Sequence, residues 1–219
     1  YNPFLLDGYK FDLRLYVLVT SFNPLEAFIY DDGFVRIATV PYSTDPADLH
    51  NKFIHLTNSS IQKDNETSIP AFKGASRYHS NAAKAQMTGM GPASAAGDPH
   101  PMDSARPEEW GGSKLRLSYL WRRFREQGID CAAVKESIHE VVLRTLIAAE
   151  ESIPPQVNSF EVFGFDVFLD SDLTPWLIEV NASPAMACDH KVDQLVKHQM
   201  VEDTVRLVNP LPFDRRELL

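Results

Sequence analysis

Apolar and polar residues alternate with a period of two over much of the first forty positions, which is the pattern of half-buried strands. The alternation predicts strands from Leu13 to Thr20, from Glu26 to Tyr30 and from Phe34 to Val40. Asn23-Pro24 and Asp31-Asp32-Gly33 carry the residues expected in turns between them. The three predicted strands would therefore form an antiparallel meander.

The first of these strands has two chemically different faces. By alternation, Lys10, Asp12 and Arg14 share one face. The opposite face is apolar and carries Phe11, Leu13, Leu15 and Val17. We expect the apolar face to cover a core and the charged face to line a polar site, although an ion-paired surface strand has the same pattern.

Apolar spacing of three and four residues replaces the alternation after Ser113 and predicts helices. The first apolar stripe consists of Leu117, Leu120, Trp121 and Phe124, and Gln127-Gly128 ends it. The second consists of Val134, Ile138, Val141, Val142 and Leu146, and it is closed by the segment from Ser152 to Pro155. A last helix is indicated by Val192, Leu195, Val196 and Met200, with Asp189 as its candidate N-cap.

Between the second and last helices, two strand-like runs flank the polar turn Asp170-Ser171-Asp172. A hairpin centred between Asp172 and Leu173 would place Asp166 directly opposite Glu179, with side chains close enough to share a ligand. Asn181 would share their face, beside the small Gly164. Two carboxylates and an amide oxygen suit a hard cation such as Mg²⁺. An ordinary hairpin with solvated acids is the alternative, and a register slip of one residue would separate the groups.

The predicted elements indicate an α+β architecture with an antiparallel sheet flanked by helices. They are the meander, the helical pair, the hairpin and the final helix. Two structured parts are expected, at residues 1–63 and 113–209, followed by a tail at 210–219. The intervening residues 64–112 are interpreted as a flexible low-complexity insertion, because positions 74–112 hold six of the ten glycines.

Composition narrows the function classes. The 219 residues are 44% hydrophobic, which is enough for a real core, and contain no apolar run long enough for a transmembrane helix. The net charge of −9 argues against a general nucleic-acid binder. Cys131 and Cys188 lack metal-site spacing and favour two unpaired thiols in a reducing compartment. The chain starts at Tyr1 without a visible signal peptide, and we interpret it as part of a longer protein.

Basic and small polar residues provide candidate phosphate contacts. Arg36 lies in mid-strand between apolar neighbours, where it must meet a carboxylate or a ligand anion unless the strand face is solvated. The segment from His55 to Ser60 predicts either a helix cap or an anion-binding turn. No P-loop, GxGxxG or GxSxG motif is present, and the seven histidines show no paired metal spacing. The pattern favours a nucleotide and metal clamp without a covalent nucleophile.

Five ordered motifs closely resemble the tubulin tyrosine ligase-like family, whose members have the ATP-grasp fold. The motifs are the segment from Lys10 to Val19, Gly33-Phe34-Val35-Arg36, His55-Leu56-Thr57-Asn58, the segment from Phe163 to Val167, and the segment from Trp176 to Pro184. The resemblance extends from Asn2 to about Val208 outside the insertion. It implies that the chain is the C-terminal portion of an ATP-grasp fold.

The resemblance also implies an ATP-dependent carboxylate–amine ligase that acts through an acylphosphate. In this alignment Asp166, Glu179 and Asn181 are the expected Mg²⁺ ligands. Lys10, Asp12, Thr57 and Asn58 are expected nucleotide contacts, and Arg14 is expected near the phosphates. Arg36 matches the arginine that holds the carboxylate of the incoming amino acid. Lys197 matches a lysine that reads an acidic amino-acid side chain in the glutamate-adding members, and Lys114 is expected to line the same pocket.

Within the family, the strand from Tyr16 to Ser21 and the Ala182-Ser183-Pro184 segment are most like the tubulin polyglutamylase members. The expected partners are free glutamate and acidic tubulin tails, with no nucleic acid or membrane, in the cytoplasm on the cytoskeleton or in a cilium. Glycine ligation, a non-catalytic relic that binds nucleotide or tubulin, and a small-molecule ligase are the alternatives. The N-terminal half of an ATP-grasp ligase is absent, so we expect this chain alone to be inactive.

Overall fold

A computed structural model describes residues 2–65, 105–106, 108–154 and 159–209. Its strands are β1 (Leu5–Leu6), β2 (Tyr9–Phe22), β3 (Leu25–Ile37), β4 (Trp110–Gly111), β5 (Lys114–Arg116), β6 (Glu161–Leu169) and β7 (Pro175–Asn181). Its α-helices are α1 (Lys52–His55), α2 (Ser59–Gln62), α3 (Leu117–Glu126), α4 (Cys131–Glu150) and α5 (Lys191–Val208). The predicted tail at 210–219 and most of the predicted insertion at 64–112 lie outside the described residues, although β4 falls within the insertion range.

The described strands form one antiparallel sheet in the order β4-β5-β3-β2-β6-β7, and β1 pairs with β2 as well. The long strand β2 is central, because it pairs with β3 on one side and with β6 on the other. Helices flank this sheet, so the predicted α+β fold class with an antiparallel sheet is confirmed.

The predicted meander is wrong at its second turn. Asp31-Asp32-Gly33 lies inside the continuous strand β3, and the chain reverses only once, at Asn23-Pro24. The partners shift from Leu15↔Gly33 to Val17↔Ile29, so β3 accommodates its turn-like residues as a bulge. Glycine is required at position 33 because a Cβ there would lie 2.4 Å from the backbone oxygen of Arg14.

The apolar face of β2 covers the main core, as its alternation predicted. Phe11, Leu13, Leu15 and Val17 are buried there together with side chains from α3 and α4. The helical stripes are confirmed by their most buried members, which are Leu117, Leu120, Trp121, Phe124, Val134, Ile138, Val142 and Leu146. The charged side chains of β2 lie on the opposite face of the sheet.

The final helix packs on that opposite face. Its residues Val192, Val196 and Met200 form a second buried cluster with Tyr16 and Phe34 of the sheet. The expected N-cap Asp189 is wrong, since α5 begins after His190. Asp193 supplies the capping carboxylate instead, with its Oδ2 accepting from the backbone N–H of His190 at 3.0 Å, whereas Asp189 forms an exposed ion pair with Lys63.

Two further observations concern the cysteines and the helices. Cys131 and Cys188 are free thiols. Among the residues that the structure describes, none of the helices combines the length and hydrophobicity needed to cross a membrane.

Candidate functional site

Two rows of directly paired residues cross the charged face of the sheet. One row runs through Arg116, Phe34, Arg14, Asp166 and Glu179, with each residue opposite the next on the neighbouring strand. The other runs through Lys114, Arg36 and Asp12. Because paired side chains on one face are close neighbours, the two rows bring residues from five segments of sequence into one polar patch.

The predicted opposition of Asp166 and Glu179 is confirmed, but the hairpin reaches it by an unexpected route. Near the turn the register is Val167↔Leu177, one residue away from the predicted pairing. An extra residue in β7, Ile178, restores the predicted register, so that Asp166 faces Glu179 and Gly164 faces Asn181. The bulge therefore decides which side chains share the face.

Arg36 joins two carboxylates at the centre of the patch. Its Nε and its terminal nitrogen Nη2 each donate to Asp12 at 2.7 Å. The same Nη2 also lies 2.7 Å from Asp166 Oδ2. Arg14 Nε donates to Asp166 Oδ1 at 2.5 Å. Arg36 is only 8% exposed, so the solvated-surface interpretation is wrong and the expectation of an anionic partner is confirmed.

These contacts change the acid–base properties of the patch. Burial tends to raise the pKa of Asp166, but the hydrogen bond from Arg14 and the charges of Arg36 and Arg14 outweigh it and hold that pKa below its ordinary value. Burial also lowers the pKa of Lys10, beyond what the charge of Asp12 restores. The Asp166 carboxylate is thus kept ionised at neutral pH.

The expected nucleotide contacts divide into two groups. Lys10, Asp12 and Thr57 lie together, since Thr57 Oγ1 donates to Asp12 Oδ2 at 2.6 Å and the charge of Asp12 acts on Lys10. Lys10 Nζ also lies 5.6 Å from the ring centroid of Phe168. Asn58 is exposed, and it precedes the short helix α2 without a side-chain capping hydrogen bond.

The expected metal ligands present oxygen atoms of the right chemical type. Asn181 Nδ2 donates to Gly164 O at 3.3 Å and to Glu179 Oε1 at 3.2 Å. Among the described residues, Asn181 Oδ1 accepts no hydrogen bond and so is available to a cation. Asp166 differs, because both of its oxygens are engaged by arginines. The set fits a hard cation in donor chemistry, and Asp166 would have to share its oxygens between such a cation and the guanidinium groups.

The part of the chain that the structure describes holds no larger acidic metal cluster beside this set. Within the described parts of the chain, no group of three or more His, Cys, Asp or Glu residues is arranged to hold a metal ion. Gly164 contributes by its size, since a Cβ there would lie 3.0 Å from Pro184 Cβ and 3.4 Å from Arg14 Cδ. The missing side chain lets Arg14 lie across β6 toward Asp166.

Lys114 and Lys197 converge at the end of the second row. Lys114 Nζ donates to Asp193 Oδ1 at 2.8 Å, and Lys197 Nζ lies 3.5 Å from the same oxygen. Lys197 also donates to Ala187 O at 2.5 Å, and both ammonium groups lie within 6 Å of the Phe34 ring centroid. Sequence interpretation missed Asp193, although its position four residues before Lys197 on a helix was an available signal.

Charge distinguishes the patch from the rest of the molecule. With its immediate neighbours it contains six basic side chains, Lys10, Arg14, Arg36, Lys114, Arg116 and Lys197, and four acidic ones, Asp12, Asp166, Glu179 and Asp193, while Arg116 is ion-paired with Asp32 beside it. The chain as a whole carries a net charge of −9. A balanced to slightly positive patch on an acidic protein, with cationic groups held by buried carboxylates, is suited to binding anionic ligands.

The Tubulin-tyrosine ligase family model matches residues 1–87 and 100–218. The chain belongs to this family. The membership expected from the five motifs is thereby confirmed, and the antiparallel sheet with flanking helices agrees with an ATP-grasp type of domain.

Family relatives have names that refer to glutamate ligation. Human "Tubulin polyglutamylase TTLL5" is 34% identical over 215 residues, covering 94% of this chain and 14% of the relative. Mouse "Tubulin monoglutamylase TTLL4" is 34% identical and covers 94% of this chain and 15% of the relative. Human "Probable tubulin polyglutamylase TTLL2" is 36% identical over 218 residues, covering 99% of this chain and 31% of the relative. The chain therefore spans less than a third of the length of each of these relatives.

Proposed function

We propose that this chain is part of the catalytic domain of an ATP-dependent ligase that adds glutamate to glutamate side chains of tubulin tails. The observation that carries the proposal is the convergence of Arg14, Arg36, Asp166 and Glu179 on one sheet face in a member of this family. The names of the relatives support glutamate as the amino acid and tubulin as the acceptor.

In the proposed site, Lys10, Asp12, Thr57 and Asn58 contact the nucleotide, and Asp166, Glu179 and Asn181 hold Mg²⁺. When bound, the metal supplies neutralisation of charge on the phosphate oxygens. Arg14 lies beside Asp166, where its guanidinium can bind an oxygen of the transferred phosphoryl group. Arg36 can exchange one of its carboxylate partners for the α-carboxylate of the incoming amino acid, because its bidentate geometry suits any carboxylate.

The reaction needs no enzyme nucleophile. A carboxylate oxygen of the acceptor side chain attacks the γ-phosphorus of ATP, and the bond to the bridging oxygen breaks to release ADP. The amine of glutamate then attacks the acyl carbon, loses a proton, and expels inorganic phosphate, leaving an amide. Throughout, the role of Arg14 and Arg36 is to hold charged oxygens in position in a preorganised site.

The proposal extends to partners and location. Lys114 and Lys197 would contact the side-chain carboxylate of glutamate, and the acceptor would be an acidic tubulin tail. Such a substrate implies association with the cytoskeleton in the cytoplasm, including ciliary microtubules.

The test uses the full-length parent protein with ATP, Mg²⁺, tubulin and isotope-labelled glutamate, glycine or tyrosine in separate reactions. We expect ATP-dependent label from glutamate in the tubulin tails. Label from glycine or tyrosine alone would refute the choice of amino acid. No label from any of the three, with a correctly folded parent, would refute the ligase and favour a nucleotide-binding or tubulin-binding relic.

A further inference from the structure

We propose that Asp193 is a positioning residue that holds Lys114 and Lys197 as a two-lysine receptor for the side-chain carboxylate of the incoming amino acid. The inference deepens the proposed function and rests on it for the identity of the substrate. The inference is based on the carboxylate of Asp193, which is fully buried and takes no part in the reaction steps described above.

Asp193 contacts groups from separate parts of the fold. Its side chain has no exposed surface, and one oxygen, Oδ1, contacts both Lys114 and Lys197. The other oxygen, Oδ2, accepts the backbone N–H of His190 at the start of α5. One side chain therefore ties β5, α5 and the loop before α5 to a single point.

The charges of Asp193 and the two lysines do not cancel. Two ammonium groups and one carboxylate leave one positive charge in surplus at a site where Lys197 is only 6% exposed. The neighbouring acid Asp189 also acts on Lys114, but it forms an exposed ion pair with Lys63 at 2.6 Å, so the three lysines and two acids together still carry one surplus positive charge. A surplus cation removed from water is costly, and an anion of one negative charge would balance it.

The two lysine side chains are held in fixed orientations before a ligand binds. Lysine side chains are long and lose much rotamer freedom when they are fixed. Asp193, Ala187 O and the ring of Phe34 fix these two in advance, because each ammonium lies near the ring and Lys197 has two oxygen partners. A ligand carboxylate therefore meets ammonium groups that are already oriented, which raises its affinity. Glutamine or glycine, which lack a side-chain carboxylate, would gain nothing from this arrangement.

The decisive variant is Asp193→Asn in the full-length parent. An amide offers one acceptor oxygen, so it cannot serve both the lysines and the His190 N–H, and the two ammonium groups lose their common partner. The matched control is Glu202→Gln, which removes an exposed carboxylate from the same helix. Asp193→Glu is the second variant, because glutamate at this position preserves the helix cap while it displaces the carboxylate from the lysines.

Kinetics with ATP, Mg²⁺ and tubulin separate positioning from folding. We expect both Asp193 variants to raise the KM for glutamate about tenfold or more, because a loss of one charge-assisted hydrogen bond weakens binding by about that factor. The kcat should change much less. Calorimetry with a nonhydrolysable ATP analogue should show that the preference of the wild type for glutamate over glutamine collapses in the variants. Glu202→Gln should match the wild type in both measurements.

Two results would overturn the inference. One is a variant that folds and keeps the preference for glutamate over glutamine. The other is an equal loss with every amino acid, which would give Asp193 only a structural role. If the parent forms no amide at all, the proposed ligase function fails, but calorimetry still tests the two-lysine receptor. A wild-type preference for glutamate that Asp193→Asn removes would support the receptor. A wild type that binds glutamate and glutamine equally would contradict it.

Discussion

Asp166 and Glu179 are directly opposed on β6 and β7, and the extra residue Ile178 in β7 maintains this opposition. The two acids have different surroundings. Asp166 is buried beneath two arginines, whereas Glu179 is exposed and contacts Asn181. Asp166 is therefore integrated into the fold, while Glu179 is free to contribute to ligand binding.

This difference predicts the behaviour of Glu179→Gln. Because Glu179 contributes little buried contact, we expect an unchanged melting temperature without ligand. Turnover should fall by about 100-fold or more, the scale observed when a group that stabilises transition-state charge is removed. Glu161→Gln, an exposed neutralisation at the start of β6, is the control and should retain activity. A large loss of stability in the ligand-free protein would instead indicate a structural acid.

Asp12→Asn should act on stability as well as on activity. It removes the negative charge that receives a bidentate contact from the buried Arg36, and Arg36 then keeps only Asp166 as a carboxylate partner. Breaking a buried pair on one side costs about 3–5 kcal/mol of unfolding free energy. Urea unfolding of this variant measures the loss. Glu140→Gln, which breaks the exposed pair with Arg144, should cost less than about 1 kcal/mol.

The lowered pKa of Asp166 predicts a particular pH dependence. A carboxyl whose pKa is lowered by folding stabilises the protein above its ordinary pKa of 3.8, and this stabilisation is lost as the pH falls through the lowered value. Unfolding measured from pH 7 to pH 2 should therefore show wild type and Asp166→Asn converging below pH 3.8. A stability difference that stays constant across this range would contradict the ionised, arginine-bound carboxylate.

Two glycines of the sheet should respond differently to alanine. At Gly33 the added Cβ would meet a backbone oxygen of Arg14, which can move only if the strands separate. At Gly164 it would meet the side chains of Pro184 and Arg14, which can shift by a few tenths of an ångström. We expect Gly33→Ala to lower the melting temperature more, and Gly164→Ala to impair activity through Arg14. Equal melting temperatures for the two variants would refute this assignment.

Sequence patterns predicted the faces of the sheet better than its turns. Alternation in β2 placed the charged and apolar rows correctly, because a period of two follows from strand geometry alone. Asp31-Asp32-Gly33 has turn-forming residues, yet Gly33 pairs with Leu15 of β2 and Asp32 binds Arg116 of β5, so tertiary contacts overrode local preference. The bulge at Ile178 carries no local signal, and the correct opposition of Asp166 to Glu179 depended on it.

The charged site was also only partly predictable. Arg36 was identified as needing an anionic partner, but sequence spacing does not show that Asp12 and Asp166 are both within reach from separate strands. Asp193 was overlooked although it lies four residues before Lys197, because the apolar spacing of α5 was interpreted only as a helix. Its role depends on Lys114, which is 79 residues away in sequence and reaches it through the sheet.

The central claim is that this domain joins a carboxylate to an amine through an acylphosphate. The most direct test supplies the full-length parent with ATP, Mg²⁺, glutamate and an acceptor peptide whose glutamate side chains carry ¹⁸O. We predict one ¹⁸O atom in each inorganic phosphate released, because a carboxylate oxygen leaves with the phosphoryl group. Amide formation accompanied by phosphate without ¹⁸O would contradict the account.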